Sequence, residues 1–420
     1  MKDRWQRSVP IYGVPIFTKP FYVLGVIVMI AAVLVGYREV VGLGPTSGMN
    51  DAYSWGIWKT FNVMVLTGLG SGGFAIGIAA WVFNKKSFHT VMRMALLTSF
   101  LSYASGMMLL AIDVGRPWNL YWMMFPWKWN GHSPLLEVMV CMSAYATIPL
   151  FLENIPPMLE RAYYTRPDKR ELVEKAEKII AKFYPYVVGL AYALPMMHQS
   201  SLGALMLLAG ERVHPLWQTP FLPLLYVWAA SYMGFAAVTG TILLCCLVWH
   251  RAIDKKVLAQ LCTVEAWLIG TWTAFRVVDL LLRGRMGMMF AFDRFAGLFW
   301  VETALAVGGL YMLTQAIKTR KAGLMFTANV VTATAGMLYR FNPAGFAFIA
   351  RPGSMYFPSF IEIVISLGFL AAAIMGYLYA VKTFAILPAP ISEWHGMASD
   401  SRFVDFAQPE VEAAFAAAQD

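Results

Sequence analysis

The stretch LPMMHQSSLGALMLLAGERVHPLW, residues 194–217, decides how the chain is read. An apolar run holds His198, Gln199, Ser200 and Ser201 together, then closes on Gly210 and the polar turn GERVHP. If the run crosses a bilayer, an imidazole and three hydrogen-bonding groups lie where burying polar atoms is costly. Such residues usually face a bundle interior and mark a pathway or a ligand. Ser, Gln and Gly also let membrane helices approach and bond, so packing is an equally open reading of this segment alone.

The surrounding composition settles the class. Of 420 residues, 59% are hydrophobic and 14% charged, against about 45–50% and about 25% in soluble domains. The all-α integral membrane class follows. The net charge of +9 does not indicate nucleic acid, because Lys and Arg occupy short loops between apolar runs, a pattern of membrane topology. Cys141, Cys245, Cys246 and Cys262 all fall in apolar runs without a CxxC pair, so neither an iron–sulfur cluster nor a bound metal is expected. The basic N-terminus lacks a short apolar core with a cleavage site and reads as a retained cytoplasmic arm.

Ten segments are long enough to span, at about 20 residues each: 21–41, 56–83, 90–112, 135–158, 183–209, 222–249, 259–282, 295–316, 322–342 and 358–385. Basic residues cluster on one side of this arrangement. Lys2 to Lys19, Lys85 to Arg93, Arg161 to Lys182, Arg251 to Lys256, Lys318 to Lys321, Lys382 and Arg402 give 22, against nine opposite, Arg38, Arg340 and Arg351 among them. The bias places both termini in the cytoplasm. The expected organisation is an arm over 1–20, a membrane domain over 21–386 and a tail over 387–420. GSGGFAIG (70–77) and MGFAAVTG (233–240) recur four spans apart, as do Asp113/Arg116 with Asp279/Arg283, and Glu137 with Glu302. That repeat suggests two four-helix bundles, spans 2–5 (about 56–209) and 6–9 (about 222–342), flanked by spans 1 and 10. Residues 161–182 read as a short charged cytoplasmic helix. The external loop 113–134 is dense in Trp and is broken by Pro117 and Pro126; it reads as lying on the outer membrane surface.

Converting position to depth at 1.5 Å per residue puts His198, Asp113, Glu137, Arg276 and Asp279 at one outer level on four helices. Together they suggest a polar pocket. Asp113 and Arg116 also read as a helix end meeting headgroups, and Arg276 with Asp279 as a structural ion pair three residues apart. A second set, Lys59, Glu153 and Glu265 deeper or towards the cytoplasm and Glu302 near the outer end of span 8, is expected as a proton path, with interhelical bonding as the plainer alternative for Glu153 and Glu265. Bis-histidine haem needs paired intramembrane imidazoles, and of the six histidines only His198 is well inside a span. A proton-coupled transporter and a passive anchor remain open at this point.

The motifs SWGIWKTFNV (54–63), GSGGFAIG (70–77), AIDVGRPWN (111–119), SPLLEVMVC (133–141), MHQSSLGALMLLAG (197–210), VHPLWQTP (213–220) and RPGSMYFPSFIE (351–362) resemble the NrfD/PsrC family. Within it they are most similar to the HybB-like membrane subunits of nickel–iron hydrogenases and sulfate-reducer complexes. The resemblance runs over about residues 15–390. It implies a subunit of a respiratory oxidoreductase in a bacterial or archaeal cytoplasmic membrane, without haem or cluster of its own. Menaquinone or ubiquinone would be the bound substrate, and a ferredoxin-like iron–sulfur subunit would dock on the outer face beside further catalytic or cytochrome subunits. His198, Asp113 and Glu137 would then handle protons. Gln199, Arg276, Asp279, Arg116 and Trp118 would line the quinone site.

Overall fold

The structure, a computed structural model, describes residues 8–9, 15–53, 55–83, 86–249 and 255–388. These residues are helical apart from two-residue strands Ser8–Val9 and Leu387–Pro388, which pair antiparallel and bring the two ends of the described chain together. Ten long helices follow the ten apolar segments. They are α1 (Lys19–Val41), α2 (Trp58–Ala80), α3 (Met92–Asp113), α4 (Pro134–Thr165), α5 (Arg170–Leu208), α6 (Leu222–Trp249), α7 (Lys255–Leu282), α8 (Arg294–Thr319), α9 (Ala322–Phe341) and α10 (Phe360–Thr383). Among the described residues, nine of these are long and apolar enough to cross a membrane. The exception, α7, spans 28 residues; Glu265, Arg276 and Asp279 lower its apolarity. The protein is a multi-pass integral membrane protein. Val26, Met29, Val33 and Val40 on α1 stay exposed, as a lipid-facing surface requires.

Local chemistry sets where helices start and break. Asp293 caps α8 by accepting from Ala296 N–H at 2.7 Å. Ser359 and Glu362 form a reciprocal capping box at the start of α10. α4 breaks at Ile148, because Pro149 has no N–H to continue the ladder. α2 is not a plain α-helix: Trp58–Val65 is π-helical, a turn intervenes at Gly70–Ser71, and Ile78–Val82 is π-helical again. The expected separate helix over 161–182 is corrected. Arg170–Leu208 is one continuous helix of 39 residues through Pro185 and Pro195, prolines that membrane helices tolerate because neighbouring groups satisfy the freed carbonyls. The external loop forms tight 3-10 turns over Pro117–Met124 and Pro126–Lys128.

Packing falls into three parts. α3, α4 and α5 pack together with α2; α6 to α9 form a second set; α1 and α10 pair with each other, and α10 also rests on α3. The two sets meet where α2 crosses α6. There a Cβ on Gly72 would lie 2.7 Å from Gly234 O, and one on Gly234 would lie 2.4 Å from Gly72 N. Only paired glycines allow so close a crossing.

Candidate functional site

Three polar groups are built into this frame. The deepest lies in the first set. His198 on α5 is fully buried, its Nδ1 3.1 Å from Val138 O and its Nε2 3.2 Å from Thr67 Oγ1. A carbonyl only accepts, so Nδ1 carries hydrogen and donates to Val138. Gln199 Nε2 donates to Thr67 Oγ1 at 3.1 Å and to the Tyr103 hydroxyl at 3.2 Å. Thr67 also reaches Val63 O one turn back. Tyr103 packs edge-on against Tyr145 with centroids 4.7 Å apart. Gln199 Oε1 and the Tyr145 hydroxyl are buried without a hydrogen-bond partner. Ser200 and Ser201 bond back to Met197 O, so only Gln199 joins the imidazole.

The second group is at the end of α3. Asp113 is 2% exposed and pairs with Lys59 Nζ at 3.1 Å. Arg38 donates to the neighbouring Val114 O at 2.7 Å. Over this pair folds the 351–362 segment. Tyr356 OH donates to Glu362 Oε1 at 3.0 Å and accepts from Ile57 N–H at 2.7 Å, while Glu362 Oε2 holds Gly48 N–H at 2.7 Å. Burial raises the Tyr356 phenol above its ordinary range, more than the Ile57 N–H lowers it.

The third group lies in the second set. Glu302 is fully buried and receives Arg276, Trp217 Nε1 at 2.9 Å and Asn342 Nδ2 at 2.5 Å. Arg276 also lies 5.0 Å over the Trp272 ring and 4.9 Å over that of Tyr339. Asp279 accepts from Thr219 at 3.0 Å and from Arg283 at 2.7 Å. Between the sets, Arg340 is fully buried. It donates to Met64 O on α2 and Tyr226 O on α6, both at 2.9 Å.

These positions correct several expectations. Arg276 and Asp279 do not pair; each turns to a different helix or loop, because their side chains leave the helix on different bearings. Lys59 is not deep: it is in the first turns of α2 and belongs with Asp113. Glu302 pairs with Arg276. Arg38 and Arg340, counted among the outer-side cations, are buried near the outer ends of α1 and α9. The single outer level also splits in two. Thr67 follows Lys59 by eight residues and Tyr103 precedes Asp113 by ten, so His198 lies about 12–15 Å along the helices from the Lys59–Asp113 pair. Arg116 is exposed, as is Trp118, on the loop, apart from all three groups. Glu137 is half-buried, one residue before the Val138 carbonyl that holds His198. Glu153 lines a crevice with Tyr145, Tyr192 and Gly77. Glu265 accepts from Thr332.

Thr67, Tyr103, Arg340, Trp217 and Asn342 were not expected at these sites from the sequence. An arginine inside span 9 was a signal for Arg340; a threonine in an apolar run offers none. The VHPLWQTP turn lies outside the bilayer segments, yet it supplies Trp217 and Thr219 to buried carboxylates. His214 there stacks on Phe295 at 4.2 Å, and its burial lowers its affinity for a proton.

With this geometry in place, comparison with known proteins is specific. A family model described as polysulphide reductase, NrfD, matches residues 45–350. The chain is 33% identical over 90% of its length, and 94% of the relative's, to the probable Ni/Fe-hydrogenase 2 b-type cytochrome subunit of Escherichia coli K12. It is 32% identical, over 39% of its length and 37% of the relative's, to the integral membrane subunit of menaquinone reductase of Nitratidesulfovibrio vulgaris. A shorter match, 32% identical over 23% of the chain and 22% of the relative, is to a selenate reductase subunit of Mesobacillus selenatarsenatis. The first of these names includes a b-type cytochrome. The buried imidazole here does not fit a haem ligand as it stands, since both nitrogens of His198 are engaged by Val138 and Thr67.

Proposed function

The chain belongs to the polysulphide reductase NrfD family and is a membrane subunit of a respiratory oxidoreductase; from that premise we propose that it is the quinone-reactive subunit. It exchanges electrons with an iron–sulfur subunit docked on the outer face of a bacterial or archaeal cytoplasmic membrane. Its substrate couple is Q + 2e⁻ + 2H⁺ ⇌ QH₂, with menaquinone or ubiquinone as Q. The observation that carries this reading is the buried set His198, Gln199, Thr67 and Tyr103, with an unpartnered amide oxygen on Gln199. A quinol hydroxyl needs an acceptor, which the open Gln199 amide oxygen offers, and a group that exchanges protons nearby, which His198 offers. Electrons come from another chain.

Within this reading the inner group handles protons and binds the ring. Glu137, beside Val138, is the nearest carboxyl on α4. Lys59–Asp113 forms the outer pole, about 12–15 Å away, too far for one ring to touch both, and moves protons between the site and the external surface. Glu153, in its crevice below Tyr145, supplies protons from the other side, and Glu265 is a further candidate on that side. Arg276 and Asp279 are engaged in their own ion pairs and stabilise the second set. The expected roles of Arg116 and Trp118 fall instead to contacts at the loop surface.

The test is turnover by the purified complex carrying His198→Gln or Asp113→Asn. Both variants assemble, and quinone turnover falls by about 10²-fold in His198→Gln, the scale of a lost acid–base group. Wild-type turnover in both would make the chain an anchor. Proton flux in liposomes without an iron–sulfur partner would make it a transporter.

A further inference from the structure

Thr67 is the residue on which the inner site turns. Its hydroxyl has one hydrogen and two lone pairs, yet three groups surround it: Gln199 Nε2, which only donates, Val63 O, which only accepts, and His198 Nε2, which does either. Two arrangements satisfy everyone. With a neutral imidazole, Thr67 donates to His198 Nε2, accepts from Gln199 and keeps one lone pair open. With an imidazolium, Nε2–H donates to Thr67, Gln199 fills the second lone pair, and the Thr67 hydrogen swings to Val63 O. One rotation of a C–O bond accommodates either protonation state without moving a helix.

We propose that the Thr67 hydroxyl is the catalytic relay that passes the proton between His198 and the quinone; this rests on the quinone reading above. In the oxidising direction the quinol hydroxyl donates into the open lone pair of Thr67. Its proton passes to Thr67 as the Thr67 hydrogen passes to His198 Nε2. One O–H bond of the quinol breaks and one N–H bond of the imidazole forms, while Thr67 ends with the hydrogen count it began with and turns to Val63 O. The relay carries one of the two protons. The other quinol hydroxyl loses its proton towards the Lys59–Asp113 pole, the two electrons leave to the iron–sulfur subunit, and the reverse sequence protonates a reduced ring. His198 needs no direct contact with the ligand in this scheme. Arg340, Tyr103 and Tyr145 are the other titratable groups around the imidazole. None of them touches Nε2, so the exchange runs through Thr67.

Thr67→Val keeps the side-chain shape and deletes the hydroxyl, whereas Thr67→Ser keeps the hydroxyl. In the whole complex, Thr67→Val lowers kcat for quinone by about 10²-fold with little change in KM, and Thr67→Ser restores it. A second readout stands apart from quinone chemistry: ¹⁵N NMR of labelled histidine in the same complex. In the native protein His198 shows the Nδ1–H tautomer with a hydrogen-bonded Nε2, and this Nε2 signal shifts in Thr67→Val and returns in Thr67→Ser. Native turnover in Thr67→Val overturns the relay. An unshifted Nε2 signal overturns the geometry beneath it. A shifted signal in a complex without quinone activity would sink the quinone reading alone and leave the hydroxyl–imidazole bond standing.

Discussion

At the residue scale, the chemistry-bearing types were legible and their partners were not. His198, Asp113, Glu137, Arg276, Asp279 and Glu302 stand out because charged or imidazole groups are rare in apolar spans. Which carboxylate meets which cation depends on side-chain bearings that spacing along one helix does not fix. Arg276 and Asp279 share a helix but serve Glu302 and Arg283. Lys59 looked like an interior residue and is the counter-ion of Asp113. Thr67 carries no charge and its position in an apolar run gives no sign, yet His198 and Gln199 both converge on it. The Arg276–Glu302 pair makes a sharp prediction. Removing one partner of a buried ion pair leaves the other uncompensated, at about 3–5 kcal/mol. Glu302→Gln therefore lowers the thermal unfolding midpoint of the purified complex by several degrees. A midpoint equal to that of the native protein would mean that Arg276 finds its counter-charge elsewhere.

At the scale of elements, hydropathy located all ten helices because a spanning helix must be apolar over about 20 residues. What it missed were features that leave hydropathy unchanged. Lys175 and its neighbours are charged, but they continue α5 in unbroken register, since nothing between Lys169 and Leu208 stops the ladder except prolines that a bundle tolerates. The π-helical start of α2 and the break at Ile148 are likewise invisible to an apolar run, although Pro149 marks the latter. GSGGFAIG appears in the sequence as a repeated motif, and the structure gives Gly72 a physical task at the α2–α6 crossing. A side chain there meets Gly234 backbone, and overpacking of that kind costs about 1–3 kcal/mol. Gly72→Val should lower the yield and melting temperature of the complex. Gly189→Val on α5, where a Cβ meets nothing within 4 Å, should leave both unchanged. Equal tolerance at the two positions would mean that the crossing is not held by close backbone approach.

At the scale of the whole molecule, the helix sets α2–α5 and α6–α9 differ in the kind of their polar contents. The first holds neutral or singly charged donors and acceptors around His198, with an amide oxygen left open. The second gathers Arg276, Trp217 and Asn342 on the Glu302 carboxylate around a buried ion pair, and there Asn342 Oδ1 and Arg276 Nη2 are also without a partner. An imidazole among neutral partners can exchange protons with a ligand, whereas a buried ion pair serves to hold helices together. On the proposed function the quinone lies in the first set, beside the imidazole, a choice that could not be read from a sequence in which both sets carry similar acidic and basic residues. The assignment is tested most directly by a photoactivatable quinone analogue applied to the membrane-bound complex, followed by mapping of the labelled peptides. Label is expected on α2, α3 and α5, around Thr67, Tyr103 and His198, displaced by excess native quinone. Displaceable label on α7 or α8, around Arg276 and Glu302, would contradict it.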